Sequence, residues 1–200
     1  MPIVTLLPPE DGNFGPLEDA LADAGKTLGI PTVNPGYSPH NLLHIDARST
    51  PGSHTEIVID DEMNCRVVQL LGDNASLEMP VKSDLPYLVL QLKNLNRYVC
   101  FEVTIKGIDG VKRHLICNSK QSISRITKTS CSIPLELTEG WNYLCLDLQE
   151  LVEAAFGVQY SYTTKVAVYS TTRLWRAFFQ DRKYSDMELP SHLRTSPTVV

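Results

Sequence analysis

From Leu42 to Gln180 the apolar residues come in short runs, mostly with a period of two, cut by turn residues. Alternation of that kind predicts half-buried strands. Leu42–Asp46, Thr55–Ile59, Arg66–Leu71 and Ala75–Met79 are such runs. Pro51-Gly52-Ser53, Asp60-Asp61 and Gly72-Asp73-Asn74 separate them. Leu85–Leu92 is a stronger run, with Pro86 near its start, where a strand tolerates proline. Tyr98–Lys106 places Val99, Phe101, Val103 and Ile105 on one face, and Gly107-Ile108-Asp109-Gly110 reverses the chain into Val111–Cys117. Residues 118–130, rich in Ser, Thr and Lys, read as a long loop before a strand at Ser132–Leu137. Many short strands with regular turn signals and little helix predict an all-β sandwich or barrel.

The stretch from Gly140 to Pro190 is punctuated most clearly. Trp141, Tyr143 and Cys145 alternate with Asn142, Leu144 and Leu146, a strand with apolar side chains on both faces and so expected to be covered on both. Asp147 and Glu150 form a capping-box-like pair, and Leu148, Leu151, Val152, Ala155 and Phe156 make one helical stripe that Gly157 ends. This predicts one short helix near 148–156. Strands follow at Lys165–Tyr169 and Leu174–Gln180, then a last turn capped by Ser185 and Glu188.

The beginning differs. Pro8-Pro9 and Gly12 interrupt it, and Pro31, Pro35, Gly36 and Pro39 mark a loop. Leu17–Leu28 is an acidic, Ala-rich amphipathic helix candidate. The division expected is a poorly regular, peripheral N-terminal arm over 1–41, a β-sandwich domain over 42–193 and a frayed tail over 194–200. At 200 residues the chain can bury roughly 70% of its unfolded surface.

Charge adds an asymmetry. Residues 1–84 hold 4 Lys/Arg against 13 Asp/Glu, and residues 85–200 hold 14 against 10. The net of −5 argues against nucleic acid as main ligand, while the basic half can steer the chain onto an acidic partner. No run reaches the roughly 18 apolar residues of a membrane span, and no leader is visible at Met1–Glu10, so no membrane partner and a cytoplasmic setting are expected. Five scattered cysteines (Cys65, Cys100, Cys117, Cys131, Cys145) without a Cys-x-x-Cys pair read as reduced, buried thiols.

Reactive constellations are missing. Neither a dinucleotide fingerprint nor a P-loop occurs. His40 and His44 have a helical metal spacing, but on a loop-to-strand stretch. His114 and Cys117 differ by an odd number, so a strand points them to opposite faces. Glu136 and Glu139 have nothing to select them as a glycosidase pair. The chain reads as no enzyme, with no cofactor and no metal.

What remains is a basic–aromatic set: Arg173, Trp175, Arg176, Arg182 and Lys183, interleaved with Phe178 and Phe179. A flat apolar anchor beside a forked cation suits a protein interface. The same residues also fit a core with solvated arginines around it. Lys112, Arg113, Arg125 and Lys128 form a second, looser basic group, also a candidate partner-binding set.

Several runs carry a family resemblance. Leu85-Pro86-Tyr87-Leu88-Val89-Leu90, Lys93-Asn94-Leu95 with Tyr98, and Phe101-Glu102-Val103 come first. Gly140-Trp141-Asn142, the Tyr160 region, Phe179-Gln180-Asp181-Arg182-Lys183-Tyr184-Ser185 and Glu188-Leu189-Pro190 follow in order. Over roughly residues 65–193 the chain resembles the cilia- and flagella-associated protein twenty family. The resemblance implies an antiparallel β-sandwich of jelly-roll type and a non-enzymatic, microtubule-associated structural protein of the cilium or flagellum, in the axoneme and basal body. It further implies contact with tubulin at the inner junction of doublet microtubules, beside the Parkin co-regulated gene protein. The first 65 residues depart from the family pattern, as a diverged member or paralogue would. A second function class, a carbohydrate-binding-like β-sandwich module, would need Trp141 or Trp175 as an open aromatic platform. On the interface reading, reversing charge at Arg173, Arg176 and Arg182 weakens microtubule association and leaves the melting temperature nearly unchanged.

Overall fold

Alternation decides which side chains meet, and hydrogen-bond register decides which strands do. The computed structural model describes residues 1–9, 12–24, 46–48, 53–169 and 171–194. Among them, thirteen strands form two sheets packed face to face. The strands are β1 (Ile3–Leu7), β2 (Asp46–Arg48), β3 (His54–Asp60), β4 (Cys65–Leu71), β5 (Ser76–Ser83), β6 (Tyr87–Asn94) and β7 (Cys100–Gly107). Then come β8 (Lys112–Asn118), β9 (Arg125–Ile126), β10 (Ser130–Pro134), β11 (Gly140–Asp147), β12 (Tyr160–Tyr169) and β13 (Thr172–Gln180). Two helices accompany them, α1 (Gly15–Ala24) and α2 (Leu148–Phe156). The first sheet runs β11-β6-β13-β4-β3, with β1 added on β13; the second runs β2-β5-β12-β7-β8-β10-β9. The chain is an all-β sandwich.

The core lies between the sheets. Val68, Leu70, Leu88, Leu90, Leu92, Leu174 and Phe179 face it from the first, and Leu77, Met79, Phe101, Val103, Ile105, Leu115, Val166 and Val168 from the second. At roughly 1.5–3 kcal/mol for each fully buried large side chain, this cluster is the main source of stability. Helix α2 adds Leu148 and Val152. It begins where Asp147 accepts a hydrogen bond from the Glu150 amide (3.0 Å) and stops at Gly157 with φ 65°, as the pattern predicts.

Three expectations need amending. The antiparallel rule fails once, because β10 runs parallel to β8. A parallel neighbour needs a crossover, and the polar stretch after Asn118 supplies it, with β9 turning back along β10. The described part of the N-terminal segment is not peripheral. β1 pairs with Ala177–Gln180, the half of β13 that β4 leaves open, and Leu6, Leu7, Phe14 and Leu17 join the core. The helix expected over Leu17–Leu28 starts at Gly15; its predicted last residues, and residues 42–45 of the strand predicted over Leu42–Asp46, lie outside the described residues. Lastly β11, expected to be covered on both faces, is an edge strand and is only partly buried.

The outer face of the first sheet carries a second apolar cluster. Val89, Phe178, Leu189 and Leu193 pack there with Ile3, Cys145 and Tyr184. The chain after β13 crosses this face as a strap. Its first turn, Asp186–Glu188, is held by the Ser185 amide and hydroxyl donating to the Glu188 carboxylate (both 2.9 Å).

Candidate functional site

A β-bulge at Trp175 arranges the first basic–aromatic set. Leu174 pairs with Leu92 but Arg176 pairs with Gln91, so one extra residue sits in β13. Strict alternation would turn Arg176 into the core. The bulge resets parity, and Arg173, Trp175 and Arg176 all lie on the outer face of the first sheet.

There they converge on one carboxylate. Asp60, at the end of β3, is 0% exposed. Its Oδ2 accepts from Arg173 Nη1 (2.6 Å) and Lys93 Nζ (3.0 Å). Its Oδ1 accepts from the Glu62 and Met63 amides (both 3.1 Å) and from Trp141 Nε1 (3.3 Å). Burial alone would raise this carboxyl. The bonds from Arg173, Lys93, the Met63 amide and the Trp141 indole outweigh it and hold Asp60 well below the usual carboxylate range. Lys93 also meets Glu62 (2.9 Å), and Arg173 Nε donates to Gln69 (2.7 Å). Trp141 and Trp175 stand edge to face, centroids 5.9 Å apart.

Arg176 is buried too. Its guanidinium lies 3.4 Å from the Trp175 ring centre and donates to Gln91 (2.7 Å). It also donates to the backbone carbonyls of His192 (3.3 Å) and Arg194, tying the strap to the sheet. Burial pushes the group down to about 10, so it stays charged at neutral pH. Arg182 and Lys183 sit on the strap and are exposed. Arg182 pairs with Glu188 (2.9 Å) over Tyr184, and Lys183 lies over Tyr87.

The looser group belongs to the second sheet, so the two sets are not brought together. Arg113 is buried, paired with Asp109 (2.6 and 2.9 Å) and stacked on Phe156. Lys112, Arg125 and Lys128 are exposed. Lys112 stands directly across from Lys106, and Lys106 across from Tyr162. Lys82 and Lys106 both approach the Tyr162 ring, at 5.8 and 5.9 Å. Sequence reasoning passed over Lys82, Lys106 and Tyr162, which lie in three separate strands and meet only through register. Asp60 was read as plain turn composition. Its parity with Glu56 and Val58, and the Asn64 that follows, were the available signals.

Other chemistry is sparse. His114 Nδ1 meets Glu102 at 2.8 Å on the outer face of the second sheet, while Cys117 is buried and pushed up to about 12, so the two do face apart. Ser130, opposite His114, shares its hydroxyl with Thr127 (2.7 Å). Among the described residues no three His, Cys, Asp or Glu side chains are grouped to hold a metal, and no helix is long and apolar enough to cross a membrane. His40 and His44 lie outside the described residues. The five cysteines are free thiols, and burial raises each of them.

Comparison with known proteins bears on the sandwich from β2 onward. The model of the CFA20 domain matches residues 38–197, reaching further toward the N-terminus than the quoted motifs. A Cilia- and flagella-associated protein 20 of Caenorhabditis elegans is 31% identical over 150 residues, 70% of this chain and 74% of that one. The protein of that name from Chlamydomonas reinhardtii is 31% identical over 161 residues, 76% and 85% of the two chains. Among solved structures, a glycoside hydrolase domain of Endo-D from Streptococcus pneumoniae is 11% identical with a TM-score of 0.39, covering 72% of this chain and 22% of that one. A family 11 carbohydrate-binding module from Clostridium thermocellum is 13% identical with a TM-score of 0.29, covering 69% and 91%. Both likenesses are too loose to bear on function.

Proposed function

The chain belongs to the CFA20 domain family of cilia- and flagella-associated proteins, and from that premise we propose that it is a non-enzymatic structural protein of the axoneme. In this reading it binds tubulin at the inner junction of doublet microtubules, with the Parkin co-regulated gene protein and other junction proteins as neighbours. The match of the family model over residues 38–197 carries the proposal. A sandwich whose inward side chains form one continuous core suits a part that fills a gap and bears load. The carbohydrate-binding reading needs an open aromatic face. Arg176 lies against the Trp175 ring, Lys93 lies over the Trp141 ring, and the two indoles stand edge to face, so neither offers an open platform.

Two measurements test the proposal together. A tagged copy in ciliated cells is expected along the axoneme, and the purified chain is expected to co-sediment with doublet microtubules. Even distribution through the cell body, or no co-sedimentation, would overturn it.

A further inference from the structure

The outer face of the second sheet carries cations that no carboxylate among the described residues pairs with. Lys106 and Lys112 are directly opposed across β7 and β8. Like charges in that position destabilise a sheet. Lys82 adds a third cation to the row, sharing the Tyr162 ring with Lys106. Three carboxylates nearby are engaged elsewhere: Glu78 with Lys165 (3.2 Å), Glu102 with His114 (2.8 Å) and Asp109 with Arg113 (2.6 Å). Among the described residues Lys82, Lys106 and Lys112 form no ion pair. At the end of the same row the β7–β8 hairpin exposes Ile108 and Val111.

We propose that this row, Lys82–Tyr162–Lys106–Lys112 with Ile108 and Val111, docks a carboxylate-rich protein surface. Cations facing cations lower stability, and an arriving row of carboxylates relieves the repulsion, so binding gains from a cost the free protein carries. The aliphatic pair at the hairpin supplies apolar area beside the charge, the usual make-up of a protein interface. A nucleic acid fits less well. The chain as a whole is acidic, and two ammonium groups already occupy the one aromatic ring of the row. The inference rests on the axonemal reading and deepens it, by naming the face used and the chemistry it meets.

The test uses the full chain and a poly-glutamate peptide, titrated at low and physiological salt. The wild type binds, more weakly as salt rises. The variant Lys82→Glu/Lys106→Glu/Lys112→Glu loses about tenfold or more in affinity, with a melting temperature unchanged or raised. The control Arg97→Glu/Lys120→Glu/Lys183→Glu, equal in charge but away from the row, stays within about twofold. The inference is overturned if the wild type ignores the peptide, if the control loses as much, or if poly-uridylate displaces the peptide. Doublet co-sedimentation separates the two readings. If wild type and row variant sediment alike, the face is wrong and the axonemal reading stands. If the wild type does not sediment, that reading falls, and the peptide titration alone decides the face.

Discussion

The two outer faces of the sandwich are built from similar residue types and put them to opposite use. On the first sheet, Lys93 and Arg173 close on Asp60, and Arg176 closes on backbone carbonyls of the strap. On the second sheet, Lys82 and Lys106 approach the Tyr162 ring and Lys106 stands directly across from Lys112. Basic–aromatic composition therefore does not identify an interface by itself. What separates the faces is whether each cation finds its acceptor inside the fold.

The sharpest way to break this contrast is Asp60→Ala. It leaves Lys93 and Arg173 without their shared carboxylate in a largely buried place, and a loss of about 3–5 kcal/mol is expected in urea unfolding. If the loss is below about 1 kcal/mol, the first face is not held by its charges. The same group sets an acid limit. Its folded pKa is depressed, so its contribution is complete above the unfolded value of about 3.9 and is lost as pH falls below that toward the folded value. The wild type should therefore keep its Asp60-dependent stability down to about pH 5 and shed it below about pH 4. Asp60→Asn should flatten that fall.

A smaller effect is expected from Leu193→Ala, which opens the cluster under the strap. About 2–3 kcal/mol should be lost in the same assay, without effect on poly-glutamate binding. Smallest is Lys112→Glu, which turns a repulsive pair with Lys106 into an attractive one. Its melting temperature should rise by about one or two degrees while peptide binding weakens. A fall would mean that Lys112 already has a stabilising role.

The sequence foretold elements better than neighbours. The capped helix 148–156, most strands and the opposed faces of His114 and Cys117 follow from local rules, because caps and alternation act over a few residues. The strand Ile3–Leu7 was hidden by Pro8-Pro9 and became visible only as the partner of an open half-edge of β13. The bulge at Trp175 cannot be read from periodicity, yet it decides where Arg176 points. Arg173 and Arg176, chosen as partner-binding residues, have hydrogen-bonding groups engaged within the protein. Reversing them should now cost stability, against the first expectation, whereas exposed Arg182 should tolerate it. The cross-strand row on the second sheet depends on register among four strands, and no local rule encodes register.

The chain has only two tryptophans, and both stand at the Asp60 cluster with 5.9 Å between ring centres. All indole fluorescence therefore originates from one spot, next to the strap. Peeling of the C-terminus from the sheet will alter that light, while a ligand seated behind the opposite sheet will leave it dark to the event, so the protein comes with a reporter that tells its two sides apart.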